Sequence, residues 1–148
     1  MRYFEDIHVG DVSHFDEAYT FTEKEIIEFA RQWDPQPFHI DKAAAAESIF
    51  GGLVACSSHI IAAALSFGTR SDPVAAVSAL GFSNMRTLLP VRPGDQLKMS
   101  EKVIEARLSN SHKNCGILTM SCEIFNQNQE KVFVYETAFI ARCRPSED

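Results

Sequence analysis

The chain has 148 residues, of which 45% are hydrophobic and 23% charged, and it carries a formal net charge of −6. This length and composition are typical of a globular protein with a sizeable apolar core, so we expect one domain spanning residues 1–148. The acidic balance argues against a nucleic-acid-binding protein, which usually presents a basic face.

Cysteine and histidine spacing excludes further classes of protein. The four cysteines form no C-x-x-C pair and the five histidines no H-E-x-x-H motif, so we expect no metal site. The N-terminal segment MRYFEDIHVGD has acidic residues where a signal peptide would have an apolar core. The most apolar segment, residues 53–67, is too short to cross a membrane. These features predict a reduced, cytoplasmic protein.

The first elements in chain order are a strand and an amphipathic helix. Apolar and polar residues alternate over residues 15–21, which predicts a strand. Thr22 begins the capping box T-E-K-E, and apolar residues then recur at helical spacing as far as Trp33, which we expect to face the core. Pro35 should end this helix, because Asp34 before it is disfavoured in the helical region.

The middle of the chain predicts a loop, a short helix and a long apolar helix. Two prolines in DPQPFHID predict a segment without regular structure, and Asp41 can cap a short helix over residues 42–48. After two glycines, residues 53–67 predict a helix that is apolar nearly all round, with Gly68 as its C-terminal cap. Such a helix is normally enclosed by the rest of the fold.

The second half of the chain predicts a series of strands. Four segments are rich in Val, Ile, Phe and Thr and are separated by turn sequences: residues 74–89, 96–108, 117–127 and 131–142. Short turns imply antiparallel neighbours. The predicted fold class is therefore α+β, with a curved antiparallel sheet wrapped around a central apolar helix.

Asp34 and His39 place a carboxylate and an imidazole close together in the chain. The two prolines between them stiffen the loop, so both side chains can be held toward one point with little loss of entropy. Imidazole titrates near neutral pH, and a carboxylate can set its tautomer or share a water molecule with it. The pair predicts proton transfer to and from water. Alternatively, Asp34 ends a helix and His39 is an ordinary loop residue.

The start of the central helix, in the segment FGGLVACSS, is a second candidate. Free backbone N–H groups there can stabilise negative charge on a carbonyl oxygen, and Gly51 and Gly52 would let a ligand approach the backbone. The alternative is a plain turn. Cys56 and His59 suggest a nucleophile and its base, but their helical spacing is poor for contact and buried thiols are usually inert.

Arg86 and Arg92 are lesser candidates for binding a ligand that carries phosphate, because guanidinium groups bind phosphate oxygens in pairs. The alternative is that they are surface arginines that keep the protein soluble.

DPQPFHID, followed by FGGLVA and a long apolar helix, resembles the MaoC-like dehydratase family of hotdog-fold proteins, which includes (R)-specific enoyl-CoA hydratases. The resemblance covers nearly the whole chain. FEDIHVGD is similar to the family's first strand, and TFTEKEIIEFARQWDPQPFH to its overhanging helix and catalytic loop. TLLPVRPGDQL is similar to the strand and turn after the central helix. The resemblance implies a single hotdog domain.

By this resemblance, Asp34 and His39 are a catalytic pair that adds one water molecule across the double bond of an enoyl thioester. His39 is the expected base, and Asp34 positions the water and delivers the proton. A backbone N–H at the start of the central helix, at Ser57, would stabilise the enolate-like thioester oxygen. The expected substrate-binding residues are Gly51, Gly52, Cys56, Arg86 and Arg92.

The resemblance also concerns cofactors and partners. It implies no cofactor beyond the CoA thioester that serves as substrate, and a homodimer with its sheets joined edge to edge and CoA along the interface. The family usually carries glycine where this chain has Ser57, whose side chain would narrow the approach of the thioester.

Two other functions stay open at this stage. The altered segment ACSS favours a non-catalytic hotdog dimer that binds acyl-CoA or another apolar ligand. The second is a hotdog thioesterase, which would release a free thiol. The presence of the Asp34–His39 pair favours this function less than hydration.

Overall fold

One antiparallel sheet with a long helix on one face forms the centre of the computed structural model, which describes residues 1–146. The five strands are β1 Val12–Thr20, β2 Ala76–Thr87, β3 Gln96–Leu108, β4 Cys115–Phe125 and β5 Lys131–Arg142. The helices are α1 Glu23–Trp33, α2 Pro37–Ile40, α3 Lys42–Glu47 and α4 Ser57–Ser71, after a 3₁₀ turn at Phe4–Asp6. The strand order is β1-β3-β4-β5-β2. The predicted α+β class is confirmed.

The core lies between α4 and the sheet face that it covers. Every second residue of β4 is buried, including Leu118 and Ile124, as the alternation in the sequence predicts. The helix contributes Ile60, Ala64 and Phe67 to the same cluster. Register shifts in β1 and β2 bend the two edge strands, so that the sheet curves around the helix.

The structure confirms both ends of the first helix. The Thr22 hydroxyl accepts a hydrogen bond from the Glu25 backbone N–H at 3.2 Å, which caps α1, and the helix ends at Trp33 before Pro35. The placing of Trp33 in the core is wrong. Its side chain lies in the last turn of α1 and is 65% exposed, whereas Ile26 and Ala30 fill the core side of the helix.

The expectation that DPQPFHID has no regular structure is also wrong. Pro37 is the first residue of α2, a position where the missing N–H costs nothing and the fixed φ angle suits a helix. The turn closes through a 2.9 Å hydrogen bond from the Asp41 N–H to the Pro37 carbonyl. The Asp41 carboxylate then caps α3 by accepting from Ala43 and Ala44, as predicted.

The central helix begins and ends later than the apolar run indicates. Residues 53–56 are extended, because the Val54 N–H bonds to Phe38 and the Ala55 N–H to Val91. At the other end Gly68 lies inside α4, where a Cβ atom would come within 3.8 Å of the Phe15 ring, and the helix continues to Ser71. No helix within residues 1–146 is long and apolar enough to cross a membrane.

Removing the Leu118 side chain should destabilise the fold strongly. Leu118 is fully buried between the sheet and α4, so Leu118→Ala should lower the free energy of unfolding by about 2–5 kcal/mol. The matched control is Leu108→Ala at the exposed end of β3, where the side chain is 66% exposed and the change should stay within about 0.5 kcal/mol. Equal losses in urea denaturation would contradict this packing.

Candidate active site

The end of α1 and the single turn of α2 place Asp34 and His39 side by side. Asp34 ends α1, its N–H still bonded to the Ala30 carbonyl at 2.8 Å, and Pro35 then turns the chain. His39 lies in α2, where its ring is nearly enclosed while the Asp34 side chain is 40% exposed. The distance from His39 Nε2 to Asp34 Oδ2 is 3.6 Å.

A backbone carbonyl determines which ring nitrogen of His39 carries the proton. His39 Nδ1 lies 2.6 Å from the Val54 carbonyl oxygen, which can only accept a hydrogen bond. The neutral ring therefore donates from Nδ1 and presents an unprotonated Nε2 to Asp34. A carboxylate and a bare nitrogen are both acceptors, and the 3.6 Å between them suits a water molecule that donates to both.

The same carbonyl brings the start of α4 to this pair, because only two residues separate Val54 from Ser57. Within residues 1–146, no backbone carbonyl accepts from the N–H groups of Ser57 or Ser58, the first two residues of α4. These donors carry the positive end of the helix dipole. Cys56, the residue before them, is buried and its Sγ lies 3.3 Å from Ser58 Oγ.

The remaining predicted site residues are Gly51, Gly52, Arg86 and Arg92. Gly51 has φ +65°, which favours glycine, and the Arg92 guanidinium donates to the Phe50 carbonyl at 2.8 Å and packs beside Gly52. Arg92 therefore holds the loop that leads to α4. Arg86 lies exposed on β2. Within residues 1–146, no group of three or more His, Cys, Asp or Glu side chains could hold a metal ion.

Sequence reasoning missed a polar chain beside α1 that runs from the buried His59 to the exposed Glu25. His59 Nε2 lies 3.2 Å from the Tyr19 hydroxyl, which donates to the Glu25 carboxylate at 3.1 Å, and the His59 ring stacks on Phe29 at 4.5 Å. His59 is 4% exposed, and within the described part of the chain its Nδ1 has no hydrogen-bond partner. The three polar side chains lie on different elements, so their spacing in the sequence carries no signal.

Comparison with known proteins identifies the family. Residues 6–121 match the MaoC like domain. The chain belongs to the MaoC-like domain family. Its relatives include protein MaoC of Klebsiella aerogenes, 37% identical over 99 residues; the match covers 66% of this chain but only 29% of that protein.

Solved structures agree with the family assignment. A MaoC-like dehydratase from Rhodospirillum rubrum superposes with a TM-score of 0.91 at 31% identity, covering 99% of this chain and 100% of that one. The R-hydratase PhaJ1 from Pseudomonas aeruginosa superposes with a TM-score of 0.75 at 25% identity, covering 99% and 92%. The hotdog fold is thereby confirmed, and the MaoC-like chain falls among hydratases and dehydratases.

His59 should make the stability of this MaoC-like protein depend on pH. Burial lowers the pKa of His59, partly opposed by the Glu25 carboxylate, so the unfolded chain binds its proton more readily than the folded one. The stabilising contribution is present above the unfolded pKa of about 6.5 and is lost as pH falls toward the folded value. In His59→Phe, unfolding free energy measured from about pH 7.5 to 5 should fall less steeply than in the parent. Exposed His112→Phe should keep the parent slope.

Proposed function

We propose that the protein is a hydro-lyase that adds water to, or removes it from, the double bond of an enoyl-CoA-type thioester. One observation carries the proposal: the Val54 carbonyl orients the His39 ring so that Nε2 faces the Asp34 carboxylate at 3.6 Å, beside the start of α4. The resemblance to an R-hydratase supports the same class of reaction.

The pair accounts for the proton transfers. A water molecule that donates one hydrogen to His39 Nε2 and the other to Asp34 keeps its oxygen lone pairs free to attack Cβ. Nε2 takes one proton as the C–O bond forms, and the adjacent carboxylate stabilises the imidazolium. The pair then delivers a proton to Cα on the same face, so that H and OH have been added. Dehydration follows the same steps in reverse, and the side chains supply them without a resident cofactor.

The start of α4 would stabilise the negative charge that develops on the substrate during the reaction. Attack at Cβ moves negative charge onto the thioester oxygen, which becomes enolate-like. The free N–H groups of Ser57 and Ser58 are the first two of α4, a few residues after the Val54 carbonyl, and the helix dipole favours an anion there. Ser57 Oγ bonds to Thr87 Oγ1 at 3.2 Å, which holds that side chain against β2.

The loop before α4 and two arginines would bind the rest of the thioester. Gly51 and Gly52 carry no side chain that would block the backbone, and Cys56 lies buried beneath the helix start. Arg92 uses part of its guanidinium on the Phe50 carbonyl, and Arg86 makes no side-chain hydrogen bond within residues 1–146. Both arginines would offer N–H donors to CoA phosphates.

Loss of either member of the pair should abolish most of the activity. Asp34→Asn and His39→Ala should lower turnover by about two to four orders of magnitude in the hydration of short and medium trans-2-enoyl-CoAs. The measurement is the loss of the conjugated thioester absorbance. The controls are Asp16→Asn and His14→Ala on the exposed face of β1, which should keep parental turnover.

The outcomes separate hydration from the alternatives. Parental turnover in Asp34→Asn and His39→Ala would overturn the assignment of the pair. Tight binding of enoyl-CoA without turnover, with activity appearing in Ser57→Gly, would favour an acyl-CoA-binding protein, because only the Ser57 side chain would then separate binding from catalysis. Release of free CoA thiol would favour a thioesterase.

We also propose a homodimer formed through β2. This strand is an edge of the sheet, and all twelve of its residues are exposed in the single chain. An open edge with large apolar side chains is a surface that a second copy would cover. The exposed apolar residues on it are Val77, Leu80, Phe82 and Met85.

A charge on β2 should prevent this dimer. Leu80→Asp should give the mass of a single chain in sedimentation equilibrium where the parent gives twice that mass, because a carboxylate would be buried without a partner. Leu108→Asp, which charges an exposed leucine on β3, is the control and should remain dimeric. A parent protein that sediments as one chain would contradict the proposal.

A further inference from the structure

A cavity of about 430 Å³ lies between the C-terminal half of α4 and the concave face of the sheet. This volume is within the range of small-molecule sites. Leu65 and Gly68 line it from the helix, and Phe82 and Phe139 from the sheet. Most of its walls are apolar. We call this space the α4 cavity.

The α4 cavity lies farther along α4 than the candidate active site, and its lining on the helix begins at Ala64. β2 runs alongside α4 in the opposite direction, with Thr87 bonded to Ser57 at the helix start and Ala76 in the cavity wall. Leu65 lies eight residues after Ser57, and Gly68 eleven. At 1.5 Å per residue, these positions lie about 12 Å and 16 Å along the helix from its first N–H.

A row of titratable side chains crosses the sheet beneath this cavity. Glu101 on β3 is directly opposite Cys122 on β4, which is directly opposite Tyr135 on β5, so all three share one face. All three line the cavity. Asp72, the residue that follows α4, lines the same cavity as Glu101, which places this end of the row near the last turn of the helix.

Two members of the row, Cys122 and Tyr135, are buried, and Glu101 is half-buried beside them. Tyr135 is 3% exposed, and its hydroxyl donates a hydrogen bond to Met99 Sδ at 3.7 Å, which is a weak acceptor. Within residues 1–146, the Glu101 carboxyl has no side-chain hydrogen bond. Burial raises the pKa of Glu101, and it raises the pKa of Cys122 to about 12. The row therefore favours neutral, hydrogen-bonding groups over anions.

We propose that the α4 cavity receives the acyl group of the thioester substrate, and that Glu101 and Tyr135 select an acyl group bearing a hydroxyl near its far end. This inference rests on the proposed function for the position of the thioester. A plain hydrocarbon would cover the two polar groups without pairing them, whereas a hydroxyl can accept from one and donate to the other. An extended chain advances about 1.2 Å per bond, so a distance of about 12 to 16 Å corresponds to an acyl chain of roughly 11 to 14 carbons.

The test is binding of unreactive saturated acyl-CoAs of about 11 to 14 carbons, with and without a terminal hydroxyl, by isothermal titration calorimetry. The parent protein should bind the hydroxylated ligand roughly tenfold more tightly. Tyr135→Phe, which removes only the phenol oxygen, and Glu101→Leu should each bring the ratio of the two dissociation constants close to one. Tyr3→Phe and Glu105→Gln, which lie outside the cavity lining, are the matched controls.

Equal or weaker binding of the hydroxylated ligand by the parent would overturn the inference, as would an unchanged ratio in Tyr135→Phe. Failure to bind either ligand would also overturn it. Tyr135→Phe keeps the ring that fills the core, so it keeps the test decisive if Glu101→Leu fails to fold. Because these ligands undergo no hydration, the result is independent of turnover and is distinguishable from failure of the proposed reaction.

Discussion

The hydrogen bond between the His39 ring and the Val54 carbonyl, 2.6 Å long, joins two segments that are fifteen residues apart. It gives Nδ1 the proton and leaves Nε2 to face Asp34. It also fixes α2 against the extended residues that lead into α4, where the Val54 N–H bonds in turn to Phe38. One backbone group therefore sets the tautomer of the proposed base and its position relative to the helix start.

The helix α4 has two roles that depend on where it begins. Because residues 53–56 precede the helix, its first two residues are Ser57 and Ser58, whose N–H groups bond to no backbone carbonyl within residues 1–146. The helix then runs through Gly68, which lies against the Phe15 ring. Its N-terminal end lies beside the proposed chemistry, and its C-terminal half borders the α4 cavity.

Local signals predicted most of the elements. Thr22 caps α1 through its own hydroxyl, and Asp41 caps α3 in the same way, so those starts depend on side chains that neighbour them in the chain. The alternation in β4 arises from the two faces of a strand. The beginning of α4 could not be predicted, because the bonds that keep Ala55 extended come from Val91, thirty-six residues away.

The sequence by itself determined the order of the elements, the α+β class and the presence of Asp34 and His39 in one stiff segment, since each depends on periodicity, capping or proline geometry within a few residues. Only the tertiary structure decided the direction of the His39 ring, the row from Glu101 to Tyr135 and the buried contact of His59 with Tyr19. Each joins groups from separate elements, and sheet register and helix packing bring them together.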